Sequence, residues 1–512
     1  MIEFFIDGVP MTAESGQTVI QAATAAGVLI PSFCWHPHLS APGNCRICMV
    51  EIEQDGGDPW FDIACNMPVT KGMRILTDSD KVRELRKDTM QFITLNHPVD
   101  CGICNKSGEC LLQDHHYAYN GQPSLSRDSK THATKFYPLS DRIMLDNERC
   151  IMCSRCVRFT DEISKSHALG VLNRGDHSLI RPNTEVDFNY DPYSDNVIDI
   201  CPVGALLSTQ LLDHARVWYL KNTPSVCPGC ERGCNINVWH RKPEWKLNAL
   251  SPRLNTSIDR VTPLDNPAVN GPWICNKARD LSKLLERPRA EVAMVKGAPV
   301  SVEHAVRTAA AMIAIARKGV ALVSSWGSNE ELAAYHSTLA PSFTNFVKAD
   351  HVPLPGERIE DDVLIKPDKN PNRHSARAMF DALPENPADA LSAATDLVFV
   401  WGEGAPMEAI PASARVILLS SYAHDDNAHA DVFLPISVQT ERNGHYTNFQ
   451  GVVSEFQQCF QKASGVADAS ALFESLFSSM SGGPATLASP LPSNQRMVLS
   501  APMPTTPPAG GE

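Results

Sequence analysis

Ile2, Phe4 and Ile6 fall on one side of an extended chain just ahead of Asp7-Gly8. A two-residue apolar period predicts a strand with one buried face, and Asp-Gly is a hairpin-turn signal. Thr18 to Ala26 predicts a short helix that Gly27 stops. Cys48-Met49-Val50-Glu51-Ile52 returns to a strand pattern. Between residues 79 and 96 the period changes. Val82, Leu85, Met90 and Ile93 are apolar with charges between them, which predicts an amphipathic helix. Residues 97–215 are poor in periodic structure, and residues 216–280 read as loops and short strands. After about residue 285 the texture changes again. Ala305 to Ala316 predicts an alanine-rich helix stopped by Gly319, followed by a buried strand at Val320-Ala321-Leu322-Val323. Ser328-Asn329-Glu330-Glu331 has the spacing of a capping box. Leu397-Val398-Phe399-Val400 and Val416-Ile417-Leu418-Leu419 repeat the apolar strand pattern, so a parallel α/β sheet is expected. From about residue 481, Pro, Ser, Gly and Thr dominate and predict a disordered tail. No repeat of fixed period is present.

The 512 residues leave room for several domains. A net charge of −13 gives no basic footprint for nucleic acid. No apolar run is long enough to span a bilayer. The start, Met1 to Asp7, has neither a basic region nor a long apolar one, so it reads as a strand and not as a secretory signal. The 16 cysteines without such a signal point to a reducing compartment, where spaced cysteines are more often metal ligands than disulfides.

All of those cysteines except Cys459 lie between Cys34 and Cys275, in four groups. Cys34, Cys45, Cys48 and Cys65 follow the order of plant-type 2Fe–2S ferredoxins with a longer first gap. A structural zinc is the rival, although zinc sites favour two Cys-x2-Cys hairpins and one is present here. Cys101, Cys104 and Cys110 need a fourth donor. His97 is the candidate, with His115 and His116 as alternatives behind a short helix at Leu111-Leu112-Gln113-Asp114. A 4Fe–4S cluster and a zinc ion suit this set about equally. Cys150, Cys153 and Cys156 form a double two-residue spacing suited to a 4Fe–4S cubane, and Cys201-Pro202 follows. Cys201 could in principle serve the second set. Counting donors gives it to the third, because the second is complete with His97. Cys227, Cys230, Cys234 and the distant Cys275 suit another cubane, with Arg232 and Lys277 near enough to offset its charge or simply to lie on the surface. Cys459 reads as a packed thiol without a role.

Other chemistry is weakly signalled. Gly402-Glu403-Gly404 follows a strand but lacks the third glycine of a dinucleotide fingerprint, and reads as a strand-to-helix turn. No Ser-His-Asp set or carboxylate pair stands out, so catalytic residues are expected to be none. Four ligand sets in series suggest a one-electron path.

The order of these groups resembles the large iron–sulfur subunit of the proton-pumping NADH:quinone oxidoreductase, respiratory complex I. The local words that carry the resemblance are Pro31-Ser32-Phe33-Cys34, Gly43-Asn44-Cys45-Arg46-Ile47-Cys48, Leu95-Asn96-His97-Pro98-Val99-Asp100-Cys101, Arg149-Cys150-Ile151-Met152-Cys153-Ser154-Arg155-Cys156-Val157-Arg158-Phe159 and Asn270-Gly271-Pro272-Trp273-Ile274-Cys275. Farther on, Ala430-Asp431-Val432-Phe433-Leu434-Pro435 and Thr440-Glu441-Arg442-Asn443-Gly444-His445-Tyr446-Thr447-Asn448 look like the molybdopterin oxidoreductase fold. The resemblance implies an α+β multidomain chain. Its parts would be a β-grasp 2Fe–2S ferredoxin domain (1–78), a 4Fe–4S domain with one His and three Cys ligands (79–118) and a ferredoxin-like 4Fe–4S region (119–215). A 4Fe–4S molybdopterin-oxidoreductase-type domain (216–280), a shortened α/β molybdopterin-oxidoreductase-like domain without molybdopterin (281–480) and the tail (481–512) would follow.

The resemblance also implies roles. A 2Fe–2S cluster on Cys34, Cys45, Cys48 and Cys65 would take electrons from a flavin-carrying, NADH-oxidising partner. The 4Fe–4S cluster on Cys150, Cys153, Cys156 and Cys201 would follow. The cluster on His97, Cys101, Cys104 and Cys110 would pass electrons to quinone-side iron–sulfur subunits. The cluster on Cys227, Cys230, Cys234 and Cys275 would lie off this line as a structural element, with Cys275 at a longer gap than the family pattern. The chain would sit on the cytoplasmic face of a bacterial inner membrane, held there by other subunits. The alternative is the electron-input subunit of a soluble NAD-linked formate dehydrogenase or hydrogenase. The former needs a full pterin domain and the latter further cysteines after Cys275. A zinc-stabilised scaffold is the third reading.

Overall fold

The computed structural model describes residues 1–54, 56–212, 214–242, 257–353 and 356–483. Most of the expected tail therefore lies outside the described residues.

The N-terminal alternation becomes the strand Ile2–Ile6, which pairs antiparallel with Val9–Ala13 through a turn whose Asp7 and Gly8 both have positive φ (51° and 80°). Only a turn of that hand matches the twist of the two strands. The sheet has five strands in the order Val9–Ala13, Ile2–Ile6, Arg74–Leu76, Met49–Glu53, Trp60–Ile63. The helix Val19–Ala25 starts at a Thr18/Gln21 capping box and lays Val19, Ile20, Ala22 and Ala23 into one core with Phe4, Ile6, Val50 and Ile52. Gly27 follows with φ +75°, as its place after the helix requires.

The helix Asp80–Thr94 is capped by Ser79, whose oxygen accepts the Val82 amide. It buries Val82 and Met90, and its buried Arg86 donates to the Met49 carbonyl at 2.9 Å, which ties it to the first sheet. The next hundred residues hold short elements around the second and third cysteine groups, packed into one core with Phe33, Phe159, Phe188 and Trp273. Residues 220–263 carry longer strands than the sequence pattern predicts. Leu220–Val226 and Asn235–Arg241 form a seven-residue antiparallel ladder, and Arg260–Pro263 adds a third strand. Buried Ile236 and Val238 alternate on one face, but Pro224 and the Asn residues on the other hide that period in the sequence.

The C-terminal sheet has eight strands in the order Ala298–Val300, Ala293–Val295, Val432–Pro435, Arg415–Ser420, Leu397–Trp401, Gly319–Val323, Thr344–Val347, Asp381–Ala382. The last six in this order are parallel, as expected. The first two form an antiparallel hairpin on the edge, turning through Lys296 and Gly297. Helices Val302–Ile315, Asn329–Thr338 and Ala469–Met480 cover one face. Val320, Leu322, Val398, Val400, Leu418 and Phe433 fill the other. Burial on both faces explains the continuous apolar runs.

Two expectations change here. The alanine-rich helix begins at Val302 under a Ser301 cap and ends at Ile315, so Gly319 does not stop it. Gly319 instead opens the strand, where a side chain would stand 2.8 Å from the Phe343 ring. Gly402-Glu403-Gly404 leads from a strand into a loop and a short 3-10 turn at Met407–Ala409, not into an α-helix.

The pieces are tied by buried polar contacts. Arg142 forks onto Asp195 (2.7 Å) and Asp280 (2.9 Å), and Arg260 pairs with Glu109 at 2.6 Å. The Gln439 amide donates to the Val226 carbonyl at 2.6 Å, and the Glu231 amide donates to the Asp368 carbonyl at 2.8 Å. Together these contacts seat the 220–287 region between the cysteine-rich half and the C-terminal sheet.

Candidate metal centres

The first group is built by a loop that leaves the five-stranded sheet and returns to it. Gly43 (φ +66°) and Arg46 (φ +60°) turn the chain so that the amides of Asn44 and Cys45 face the Cys34 sulfur. Cys34, Cys48 and Cys65 are buried, and Cys45 is half-buried. The four sulfurs are within hydrogen-bonding reach as a chain. Cys45 and Cys65 donate to Cys34, which brings its thiol down to about 2, while contact with Cys34 pushes Cys45 and Cys65 far up. Four soft donors competing for one negative charge, with amides aimed at sulfur, form a donor set that iron satisfies.

The second group sits beyond the helix Asp80–Thr94. Cys104 and Cys110 are buried and Cys101 is exposed. The Lys106 amide faces Cys104, and the amides of Leu112 and Gln113 face Cys110 from the start of the helix Leu111–His115. His97 is half-buried, and its buried Nδ1 has no hydrogen-bond partner. Burial first, then Lys130, Arg149 and Lys135, bring its imidazole down to about 4, against the pull of Asp100. A neutral ring with a free nitrogen lone pair is the form that binds metal. Asp100 and Arg149 act on both His97 and Cys104, so imidazole and thiol share charged neighbours. His115 has a different neighbourhood. Its ring packs on Phe33 at 5.0 Å and Tyr119 at 5.9 Å. His116 Nδ1 lies 3.2 Å from the Asn120 amide.

Cys150, Cys153, Cys156 and Cys201 line one small cavity with Leu145, Ile180, Val203 and Leu206. Met152 and Ser154 adopt positive φ (53° and 60°), unusual for residues with side chains, and the loop so formed turns the amides of Met152, Arg155 and Val157 toward Cys150, Cys153 and Cys156. Burial pushes Cys150 up to about 12 and Cys153 to about 11. A metal bound here would hold these sulfurs as thiolates, against the cost that burial imposes. Cys201 lines this cavity, but the loop after it reaches the second group. The Pro202 carbonyl accepts the Leu111 amide at 3.0 Å, and Gly204 abuts the Cys104 sulfur.

Cys227, Cys230, Cys234 and Cys275 line a cavity of about 160 Å³ with Gly229, Lys277, Leu364 and Ile365. The Gly229 amide donates to the Cys227 sulfur at 3.4 Å, and the amides of Ala278 and Lys277 face Cys275. The long gap before Cys275 is taken up by the strands Asn235–Arg241 and Arg260–Pro263, which carry the chain out and back. Asn270 then fastens the return, accepting the Asn235 amide at 2.8 Å. Lys277, ion-paired with Glu357, and Arg232 both lower the cost of charge on these thiols. Cys459 lies outside this lining. It packs against the same apolar cluster as Cys227 and Cys234, and burial raises it to about 11.

Among the described residues no three His, Cys, Asp or Glu side chains close around a single-ion position. The third and fourth sets instead surround cavities, which suits a cluster better than one ion. Sequence reasoning missed Gly204 and the guanidinium groups of Arg155 and Arg158, which lie against these sets. Their proximity depends on how separate loops meet.

Family models match four stretches in turn. Residues 1–80 match a 2Fe-2S iron-sulfur cluster binding domain, and residues 86–123 match an NADH-ubiquinone oxidoreductase-G iron-sulfur binding region. Residues 140–207 match the ferredoxin-like domain of NADH-quinone oxidoreductase subunit 3, and residues 220–287 match a molybdopterin oxidoreductase Fe4S4 domain. The chain is 39% identical over 300 residues to the mitochondrial NADH dehydrogenase [ubiquinone] iron-sulfur protein 1 of Solanum tuberosum, covering 58% of this chain and 38% of that one. It is 38% identical over 279 residues to the NADH-quinone oxidoreductase G subunit of Rickettsia typhi, covering 54% and 39%. The matched stretch thus spans about two fifths of these relatives. A chain of an NAD+-reducing [NiFe]-hydrogenase is similar at 28% identity and a TM-score of 0.38, covering 42% of this chain and 91% of that one. Through residues 1–287, the chain is similar to the iron–sulfur G subunits of NADH-quinone oxidoreductase.

Proposed function

We propose that this chain is an iron–sulfur electron-transfer subunit of an NADH:quinone oxidoreductase, carrying electrons from NADH, by way of a flavin-bearing partner, toward quinone-side iron–sulfur subunits. One 2Fe–2S cluster is assigned to Cys34, Cys45, Cys48 and Cys65. Three 4Fe–4S clusters are assigned to His97, Cys101, Cys104 and Cys110, to Cys150, Cys153, Cys156 and Cys201, and to Cys227, Cys230, Cys234 and Cys275. Bound iron–sulfur clusters take up and release single electrons, and their potentials follow net charge, hydrogen bonds to sulfur and exposure.

The observation that carries this reading is that the third group touches both the first and the second. Asn44, next to Cys45, donates to the Met152 carbonyl at 3.3 Å, and Gly204, just after Cys201, packs on Cys104. That contiguity supports the order first, third, second. The exposed Cys101 leaves the second group at the surface, where a partner can approach. Backbone amides face sulfurs in all four groups, and apolar side chains wall the third. The fourth group joins the cysteine-rich half to the C-terminal sheet, which suits a structural role. We read residues 281–480 as a shortened, cofactor-free molybdopterin-oxidoreductase-like domain used for structure and docking. No helix among the described residues is long and apolar enough to cross a membrane, so attachment at the cytoplasmic face would go through other subunits.

Metal and acid-labile sulfide analysis of anaerobically purified protein, with electron paramagnetic resonance of the reduced state, tests the reading. The expected content is about 14 irons per chain, with both cluster types in the spectrum. About 10 irons would remove one four-donor set. Zinc without labile sulfide would overturn the proposal.

A further inference from the structure

The seam between the first and third cysteine groups is held by two arginines of one helix, Arg155–Glu162. Arg158 Nη2 donates to the Cys34 carbonyl at 2.5 Å and to the Cys153 carbonyl at 3.5 Å, and its Nη1 donates to the Ser40 carbonyl. Arg155 Nη1 donates to the carbonyl of Ile200, next to Cys201, at 3.0 Å, and its Nη2 donates to the carbonyl of Trp35, next to Cys34, at 2.5 Å. Each guanidinium thus spans from the backbone of one cysteine group to the backbone of the other. Both are buried, at 8% and 9% exposure. Among the described residues neither has a carboxylate within ion-pair distance; the groups they meet are carbonyls and the Ser154 hydroxyl.

A buried cation without a counter-charge is strongly disfavoured. The negative charge that would answer these two is that of the clusters assigned to the first and third groups. Arg155 lies two residues past Cys153 and holds the carbonyl of Ile200 beside Cys201, and Arg158 holds the carbonyls of Cys34 and Cys153. A planar fork reaches two carbonyls at once, whereas lysine would keep the charge and give up one of the two bridges.

We propose that Arg155 and Arg158 are the shared counter-ions of the first and third clusters, and that they fix both the spacing and the potentials of this electron-transfer step. The inference rests on the proposed cluster assignment. In the step, one electron leaves the reduced 2Fe–2S cluster, which is oxidised, and enters the third group's 4Fe–4S cluster, which is reduced. No covalent bond is made or broken. The two guanidinium charges favour the reduced form of each, so both potentials are raised together and the driving force between them stays small.

Redox-titrated electron paramagnetic resonance of the full-length, cluster-loaded chain tests this in Arg155→Gln, Arg158→Gln and the two lysine variants. Either glutamine variant is expected to lower the midpoint potentials of the 2Fe–2S cluster and the third group's cluster, with the other two clusters unmoved and iron content unchanged. The lysine variants are expected to keep both potentials near those of the unaltered chain. If the glutamine variants do not accumulate, the lysine variants decide. Retained potentials support the role of charge, and lowered ones with intact clusters overturn it. Unchanged potentials in a loaded glutamine variant, or movement of one cluster alone, overturn the shared role while leaving the cluster assignment standing. An unaltered chain without both cluster signals would overturn the assignment and this inference together.

Discussion

The α-carbon of Gly204 lies so close to the Cys104 sulfur that a β-carbon at 204 would overlap it and would also stand 3.2 Å from Lys106 Cβ. This glycine is three residues past Cys201, so the backbone of the third group forms part of the wall of the second. The φ at 204 is unremarkable. What the site demands is close approach, which only a residue without a side chain permits. Gly204→Ala is expected to displace Cys104 at an overpacking cost of about 1–3 kcal/mol. The variant should lose about four irons per chain with the second group's signal, while the 2Fe–2S signal persists. Full iron content with an unchanged spectrum would separate Gly204 from the second site.

How the chain could announce this much in advance differs from element to element. Asp7-Gly8, the Thr18 start and the Ser328-x-x-Glu331 box were legible because each is a local solution to a local hydrogen-bonding demand, and the structure uses all three. The parallel sheet was legible because strands buried on both faces must be apolar throughout. Gly319 misled because a glycine after a helix and a glycine squeezed by a distant Phe343 look alike in one dimension. The antiparallel edge strands at 293–300 are too short to show a period. At the candidate sites the donor spacings could be read directly, since each group is mostly one loop. The placement of Arg155, Arg158 and Gly204 could not, because those contacts join segments far apart in sequence.

Lys348 and Asp350 form an ion pair of 2.7 Å at the carboxyl edge of the C-terminal sheet, with side chains only 1% and 3% exposed. Asp350 also accepts from Ser324 Oγ at 2.9 Å and the Ser325 amide at 2.5 Å, while the Lys348 ammonium reaches the Glu403 carbonyl. Removing one partner strands the other charge away from water. Asp350→Ala is expected to destabilise the C-terminal domain by about 3–5 kcal/mol. The check is the unfolding transition followed by tryptophan fluorescence, since Trp401 packs in this core. Gly402 (φ +88°) lies against the same carboxylate and Ser324, so Gly402→Ala should destabilise in the same transition through strain and overlap. An unchanged transition in both variants would contradict the closed packing of this edge.

Asp396 fastens the turn between the helix Val302–Ile315 and the strand Gly319–Val323. Its carboxylate accepts the Arg317 amide at 2.8 Å and the Lys318 amide at 2.9 Å. Those amide hydrogen bonds hold the carboxyl below its ordinary range. A folded-state pKa below the unfolded one means stability that is fully present above the unfolded value, near about 3.9, and lost as pH falls through the folded value. Asp396→Asn should therefore melt at a lower temperature than the unaltered chain at neutral pH. The gap should close as the pH is taken below about 3.9. A gap that stays constant with pH would assign the loss to geometry alone.

Cys275 and Cys459 both neighbour the fourth group, yet they meet it differently. Cys275 lines the cavity with Cys227, Cys230 and Cys234, and receives the Ala278 and Lys277 amides. Cys459 stays outside that lining, half-buried on the apolar side where Phe460 and Trp326 also pack. Its sulfur makes a 3.8 Å contact with the Gln457 carbonyl, as an uncharged thiol does. A cubane needs a full set of donors, and a structural cluster contributes directly to folding. Cys275→Ala is thus expected to lose about four irons per chain and to accumulate poorly. Cys459→Ala should keep its iron and lose only the packing of one small side chain, about 1 kcal/mol. Because Cys459 packs on the apolar cluster that backs this site, the double variant is informative. If Cys459 substitutes for Cys275, iron retained in Cys275→Ala will vanish when both are replaced, and the fourth donor would then be interchangeable.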